Sequence, residues 1–285
     1  MESNSAEKAT LSAIFLNVFL FAIKLAAGIL SGSLAVLSDA FNSFLDIFSY
    51  IIAYASVRLS SQGPDSDHPF GHRRAEPLSA ILVAMFAGIL AFEIFKEAIQ
   101  NIFFGEAAIH ITDLTFGVLL ICIVVKIGMF LFLGKEAKRH HSSSMEALTM
   151  DSRNDVFSTS IALAGVIGAY MGYPLLDDLA AVLIAAYIFR AAYLMASKNI
   201  DYLMGACPDA ETIAKIWNAA ESIKGIKRVG GVRAHYVGDR THVEIDIVLS
   251  KKLKASKTHQ IAEKVQKAVE AIVMVERAFV HIDYE

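Results

Sequence analysis

Charge is what this sequence has least of. Asp, Glu, Lys and Arg make up 19% of the 285 residues, against roughly 25% in ordinary soluble domains. That shortfall excludes a conventional soluble fold for the whole chain, and the mean hydropathy of +0.49 agrees. An excess of one sign is missing too: a formal net charge of −3 argues against nucleic acid as a partner. Cysteine is nearly absent. Cys122 and Cys207 are far apart, and Cys122 lies in an apolar run, which excludes a disulfide framework or a thiolate metal cluster. There are no low-complexity tracts or short-period repeats. The opening "MESNSAEKAT" is polar and the apolar run behind it has full spanning length, so no cleavable signal peptide is expected.

What is present is apolar: 55% of residues are hydrophobic, concentrated in the first 200. A helix needs roughly 20 such residues to cross a bilayer core. Six candidates are predicted, at about 10–31, 33–58, 77–104, 112–134, 144–171 and 175–197. The hairpins "LSGSL", "GEAAIHIT" and "MGYPLL" carry no Lys or Arg, whereas the other two loops hold Arg58, Arg73, Arg74 and Lys135, Lys138, Arg139. By the positive-inside rule, both termini and both basic loops are cytoplasmic. Residues 1–204 then form a six-helix membrane domain. The remainder, 205–285, reads as a small cytoplasmic α/β domain in the order α-β-β-α-β. Its helices are expected at 209–223, with Asp209 as N-cap, and at 256–271. Its strands are expected at 226–237, 240–249 and 277–285, with a turn at "DRT".

Two of the apolar helices carry carboxylates. "SDAFNSFLDIFSY" places Asp39, Asn42 and Asp46 three to four residues apart, and "MDSRNDVFSTS" places Asp151 and Asp155. Residues i and i+4 share a helix face, so Asn42 points with Asp46 and Asp151 with Asp155. Counted from the cytoplasmic ends of their helices, Asp46 and Asp155 lie at similar depth, near the middle. Lone carboxylates at that depth cost a few kcal/mol or more each, and a shared divalent cation relieves their repulsion. Interhelical hydrogen bonding and a metal-free proton relay are the alternatives. Intramembrane aspartyl proteolysis lacks its Gly-x-Gly-Asp element, and no HExxH motif occurs, so no enzyme activity is expected. Arg153 faces away from the two aspartates. Asp39 is either on the outward path or a polar packing residue.

The six-helix plan resembles the cation diffusion facilitator family over nearly the whole chain. So do "SGSLAVLSDAFNSFLD", "DHPFGHRRAEPLSA", "ALTMDSRNDVFSTS" and the helix-plus-three-strand tail. The resemblance implies a homodimeric exporter exchanging a cytoplasmic divalent metal for protons, in a bacterial plasma membrane, with no organic cofactor. It maps the transport site onto Asn42, Asp46, Asp151 and Asp155. Zinc-transporting relatives usually place a His in this quartet. One amide and three carboxylates resemble instead the bacterial manganese-exporting branch, since all-oxygen sites suit harder ions and imidazole suits zinc. Affinity order alone still favours zinc over manganese, so selectivity has to come from coordination geometry. Mn2+ is the favoured cargo, with Zn2+ or Fe2+ as alternatives.

Three further features follow from the resemblance. Asp65, His68 and His72, in "PDSDHPFGHRR", match an accessory loop metal site, with Asp67 as a substitute for Asp65 and plain loop structure as the alternative. Asp246, His259, His281 and Asp283 match positions where relatives bind metal between two cytoplasmic domains, with His242 as a stand-in beside Asp246. Relatives often close their sixth helix with a Leu-Leu-Asp segment whose Asp pairs with a basic residue near Arg74. Here "DYLMGACPD" has Met204 at that place and Asp201 a turn earlier, so Asp201 takes over the pairing or the interlock is missing. Arg73 and Arg74 are expected to face lipid phosphates or the partner subunit. His110, His140, His141 and His235 receive no role. The reading from another class is a membrane-anchored metal sensor.

Overall fold

A computed structural model describes residues 2–105, 109–140, 143–238 and 240–285, with side chains placed for 14–105, 109–135, 148–238 and 240–285. The long helices are α1 (Glu2–Ser31), α2 (Leu34–Ser60), α3 (Ala75–Phe104), α4 (Asp113–His140), α5 (Ser143–Tyr170) and α6 (Leu175–Met204). Among the described residues, five of these helices contain stretches long and apolar enough to cross a membrane. The exception, α5, is 28 residues long but carries Asp151, Arg153 and Asp155 in its first half. Two helices outrun their apolar segments: α1 starts at Glu2, and α6 continues to Met204. A helix need not stop where hydrophobicity does when its polar flank ("ESNSAEK" or "SKNID") is built of tolerable helix formers. His141, Asp239 of the expected turn, and the side chains of Lys138, Arg139 and His140 lie outside the described residues.

The chain divides into two compact units, Met1–Ile52 with Leu82–Met195, and Ala53–Ile81 with Ala196–Glu285. In the first, α4 packs on α5 and on α1. One apolar seam joins Ala27, Val36, Leu119 and Val166, and another joins Leu34, Ile94, Ala98, Ala181 and Ala185. Small residues let backbones close up: a Cβ added to Gly165 would meet the Ala180 Cβ at 2.7 Å. Phe86, Ile89, Phe92 and Leu183 are exposed, as side chains facing lipid would be.

The start of α2 is held from a distance. Ser33 accepts from the Val36 N–H at 3.1 Å, as an N-cap. Its hydroxyl donates to Asp177 Oδ1 at 2.6 Å, and Asp177 Oδ2 accepts from the N–H groups of Leu34 (2.8 Å) and Ala35 (3.3 Å). A residue of α6 thus satisfies the orphan donors that open α2.

The second unit contains α7 (Ala210–Glu221), β1 (Arg228–Val237), β2 (Arg240–Leu249), α8 (Ala255–Glu270) and β3 (Val275–Tyr284). Asp209 caps α7, accepting from the Thr212 N–H at 2.8 Å. The sheet order is β1-β2-β3, with β1 antiparallel and β3 parallel to β2. Val243, Ile245, Ile247 and Leu249 of β2 are buried in one core with Ile216 of α7 and Ile261, Val265 and Val269 of α8. Alternation sends His242, Glu244 and Asp246 to the opposite face, where the register pairs His242 with His235 and Asp246 with His281. His242 is enclosed by Phe70, His235 and Phe279, with ring centroids 5.8, 5.9 and 6.1 Å away. Its Nε2 is 3.9 Å from Glu276, and Arg277 and Arg74 add positive charge. Burial lowers the His242 pKa, and Glu276 only partly offsets this.

Two outcomes follow. Asp177→Ala lowers stability by about 2 kcal/mol, read as earlier thermal unfolding of the purified chain. Because the folded His242 pKa is depressed, its stabilising contribution is complete above the ordinary value of about 6.5 and is lost as pH falls through the folded value. Hydrogen-exchange protection factors across β2, corrected for the intrinsic exchange rate at each pH, therefore fall on acidification, and His242→Phe flattens that dependence.

Candidate metal centre

Helices α2 and α5 meet through polar atoms. The Asn42 amide donates to Asp155 Oδ1 at 3.2 Å, and both residues are buried. Asp46 lies one turn along α2, within electrostatic range of Asp151 and Asp155. Asp151, one turn from Asp155 on α5, accepts a close hydrogen bond from the Tyr50 hydroxyl. Arg153 is exposed, on the other side of its helix.

These carboxylates do not converge on one point. Among the described residues, only Asp65, His68 and His72 bring three ligand atoms of His, Cys, Asp or Glu within 4.8 Å of one another. Asp151 is engaged by Tyr50, and Asp155 by Asn42 and by the ammonium of Lys126, which is in close contact with Oδ2. Lys126 also donates to Asn17 Oδ1 at 2.6 Å. A second lysine, Lys24, is fully buried and lies 2.9 Å from Asp39 Oδ2. It donates to Ser43 (3.1 Å) and Thr159 (2.9 Å), while the Ser158 hydroxyl binds the other Asp39 oxygen. Of the two roles open to Asp39, this geometry shows polar packing: a salt-bridged node joining α1, α2 and α5.

Sequence reasoning passed over Lys24, Lys126 and Tyr50. The lysines did leave a signal, each being the lone charge in its run, "IFLNVFLFAIKLAAGIL" and "ICIVVKIGMFLFL". A lone intramembrane charge implies a buried partner. Tyr50 left none, because a tyrosine in an apolar helix is unremarkable until its hydroxyl has a partner.

The loop trio is compact. Asp65 Oδ1 accepts from the N–H groups of His68 (2.6 Å) and Asp67 (3.0 Å), turning the chain so that both imidazoles face the carboxylate. His68 Nδ1 is 3.5 Å from Oδ1 and His72 Nε2 is 3.4 Å from Oδ2, with the rings 4.5 Å apart. The backbone donor of His68, foremost, holds the Asp65 pKa below the usual carboxylate value. His72 Nδ1 is buried and has no hydrogen-bond partner among the described residues, and the donor set of one carboxylate and two imidazoles is chemically suited to a transition metal. Asp67 is placed by the same turn through its N–H and is not among the three converging residues. Beside the trio lies a cavity of about 920 Å³ lined by Phe70, Leu78, His235, His242 and Phe279 among others.

The tail residues are dispersed over one protomer. Asp246 and His281 are neighbours across β2 and β3. Asp246 is 3.9 Å from Arg233, His281 is 3.5 Å from Asp283, and His259 is 3.6 Å from Glu263 on its own helix. The Arg73 guanidinium pairs with Glu276 at 2.6 Å and stays partly exposed. Asp201 is exposed and makes no ion pair among the described residues. Arg73 thus joins the basic loop to Glu276 at the start of strand β3, which no local pattern in "DYLMGACPD" foretells.

Residues 10–204 match the family model described as "Cation efflux transmembrane domain", and residues 208–285 match "Cation efflux protein, cytoplasmic domain". An uncharacterized transporter of Methanocaldococcus jannaschii is 32% identical, covering 97% of this chain and 98% of that protein. Metal tolerance protein 11 of Arabidopsis thaliana is 29% identical over 94% of this chain and 68% of its own length. The manganese efflux system protein MneS of Bacillus subtilis is 25% identical over 99% and 97%. Among solved structures, MamM CTD is 29% identical, covers 26% of this chain and 95% of that one, and has a TM-score of 0.26. With both family models matched in sequence along almost its full length, the chain belongs to the cation efflux family of integral membrane transporters, which export divalent metal ions.

Proposed function

We propose that the protein exports a divalent transition-metal cation from the cytoplasm in exchange for protons, with Mn2+ as the preferred ion. Asn42, Asp46, Asp151 and Asp155 bind the ion in transit. The observation that carries this reading is the buried Asn42–Asp155 contact, which sets the polar stripes of α2 and α5 against each other. Four oxygen donors, one of them neutral, favour a hard ion over zinc. Manganese efflux by a relative of matching length agrees. Asn42 supplies a carbonyl oxygen and no exchangeable proton, so the protons that counter the ion reside on the carboxylates.

In this reading residues 1–204 are the transport domain of a homodimer, in a bacterial plasma membrane with both termini cytoplasmic. Residues 205–285 form its regulatory and dimerisation domain. Asp65, His68 and His72 hold an accessory ion, and Asp246, His259, His281 and Asp283 contribute to an ion shared between two copies. The second reading is export of Zn2+ or Fe2+, favoured by the two imidazoles gathered at the loop trio.

The test is uptake into inside-out vesicles under an imposed pH gradient, with Mn2+, Zn2+ and Fe2+ supplied separately. Wild type takes up Mn2+ in preference, Asp155→Ala falls to background, and Asn42→His gains Zn2+ uptake by supplying an imidazole. Zn2+ or Fe2+ uptake without Mn2+ uptake selects the second reading. If no ion moves while the purified chain still binds metal through its tail residues, the protein is a membrane-anchored sensor.

A further inference from the structure

We propose that Lys126 is a tethered counter-cation of the transport site. Its ammonium holds the Asp155 carboxylate while no ion is bound and is displaced when a divalent cation enters, so the side chain sets the apparent affinity of the site. The inference rests on reading Asp155 as a ligand of the transported ion.

Three observations carry it. Both oxygens of Asp155 are engaged, one by the Asn42 amide and the other by Lys126. Lys126 and Asp155 are 2% and 1% exposed, so water screens little of their attraction. An incoming divalent ion on that carboxylate would face the ammonium at a few ångströms in a poorly screened site, and the two cations cannot share it comfortably. The carboxylates of Asp46, Asp151 and Asp155 also do not close to within 4.8 Å as a trio. Lys126 thus occupies the side of Asp155 that a bound ion would need.

The other buried lysine shows why Lys126 is the mobile one. Lys24 is held by Asp39, Ser43 and Thr159, none of them in the quartet, so ion binding removes none of its partners. Among the described residues Lys126 pairs or hydrogen-bonds only with Asp155 and Asn17. When Asp155 turns to an ion, the flexible four-carbon stem of Lys126 lets its ammonium move off the carboxylate while keeping the Asn17 carbonyl oxygen as an acceptor. The arrangement is a competition within one molecule: metal affinity is reduced by the fraction of time the pair is closed, and release of the ion is driven by its re-forming.

The experiment is titration of the purified full-length chain with Mn2+ and with Zn2+, separately and at one fixed pH. Asp155→Asn defines which binding component belongs to the transport site. In Lys126→Gln, which keeps a polar group for Asn17 but no charge, that component tightens about tenfold if the pair is closed about nine-tenths of the time. Transport in vesicles shows a lower KM and a lower maximal rate. In Lys126→Arg, whose planar fork pairs with carboxylate more firmly, the component weakens. A purely structural lysine gives changes of one sign in both variants. Unchanged affinity in both, or weaker binding in Lys126→Gln, overturns the proposal. Should the Gln variant not fold, Lys126→Arg alone decides, with unchanged or tighter binding counting against it. If Asp155→Asn removes no component at all, the transport-site reading itself fails.

Discussion

A charge taken out of water has to be answered by another charge or by several hydrogen bonds, and the helical unit is organised around that demand. Lys24 answers Asp39, Lys126 answers Asp155, Tyr50 answers Asp151, and Asp177 is answered by a hydroxyl and two backbone donors. These pairings draw on α1, α2, α4, α5 and α6. The apolar seams between the same helices supply contact area but little direction. Buried polar pairs supply the direction, because a helix rotated by one residue would leave carboxylates unanswered in the apolar interior.

The two polar nodes on α2 differ in kind. The Asp39 node uses groups outside the Asn42–Asp46–Asp151–Asp155 quartet and ties α1, α2 and α5 together. The Asp155 node is built from members of the quartet and from a lysine with one alternative partner. In the proposed transport role both kinds have a use: the Asp39 pairs keep the bundle registered, and the Asp155 pair would let a cargo ion come and go without leaving bare charge behind. In the small domain the same logic operates at lower stakes. Arg73 and Glu276 pair partly exposed to solvent, where an ion pair contributes little energy but still joins the basic loop to the start of β3.

The loop trio and the tail residues show how far local sequence reaches. Asp65, His68 and His72 lie within eight positions, and a turn made by Asp65 with its own backbone is enough to gather them. The tail residues belong to two strands and a helix, and one protomer leaves His259 and Asp283 with neighbours of their own. A shared site completed by a second copy of the domain is what the family resemblance implies.

Local pattern was enough for the helices, for the Asp209 cap, for the order α-β-β-α-β and for the common face of Asn42 and Asp46, because each depends on spacing along a few turns or strands. It was not enough for the helix ends, where the polar flanks of α1 and α6 stay helical. Nor did it disclose the partners of the buried charges. Lys126 meets a residue 29 positions away, and Lys24 hydrogen-bonds one 135 positions away. Which lysine answers which aspartate depends on how helices pack, and no period of 3.6 residues encodes that. The sequence by itself determined that carboxylates would be buried and would need cations. Only the tertiary structure decided that the protein supplies two of those cations from its own side chains, because a buried charge takes whichever partner the packing brings within reach.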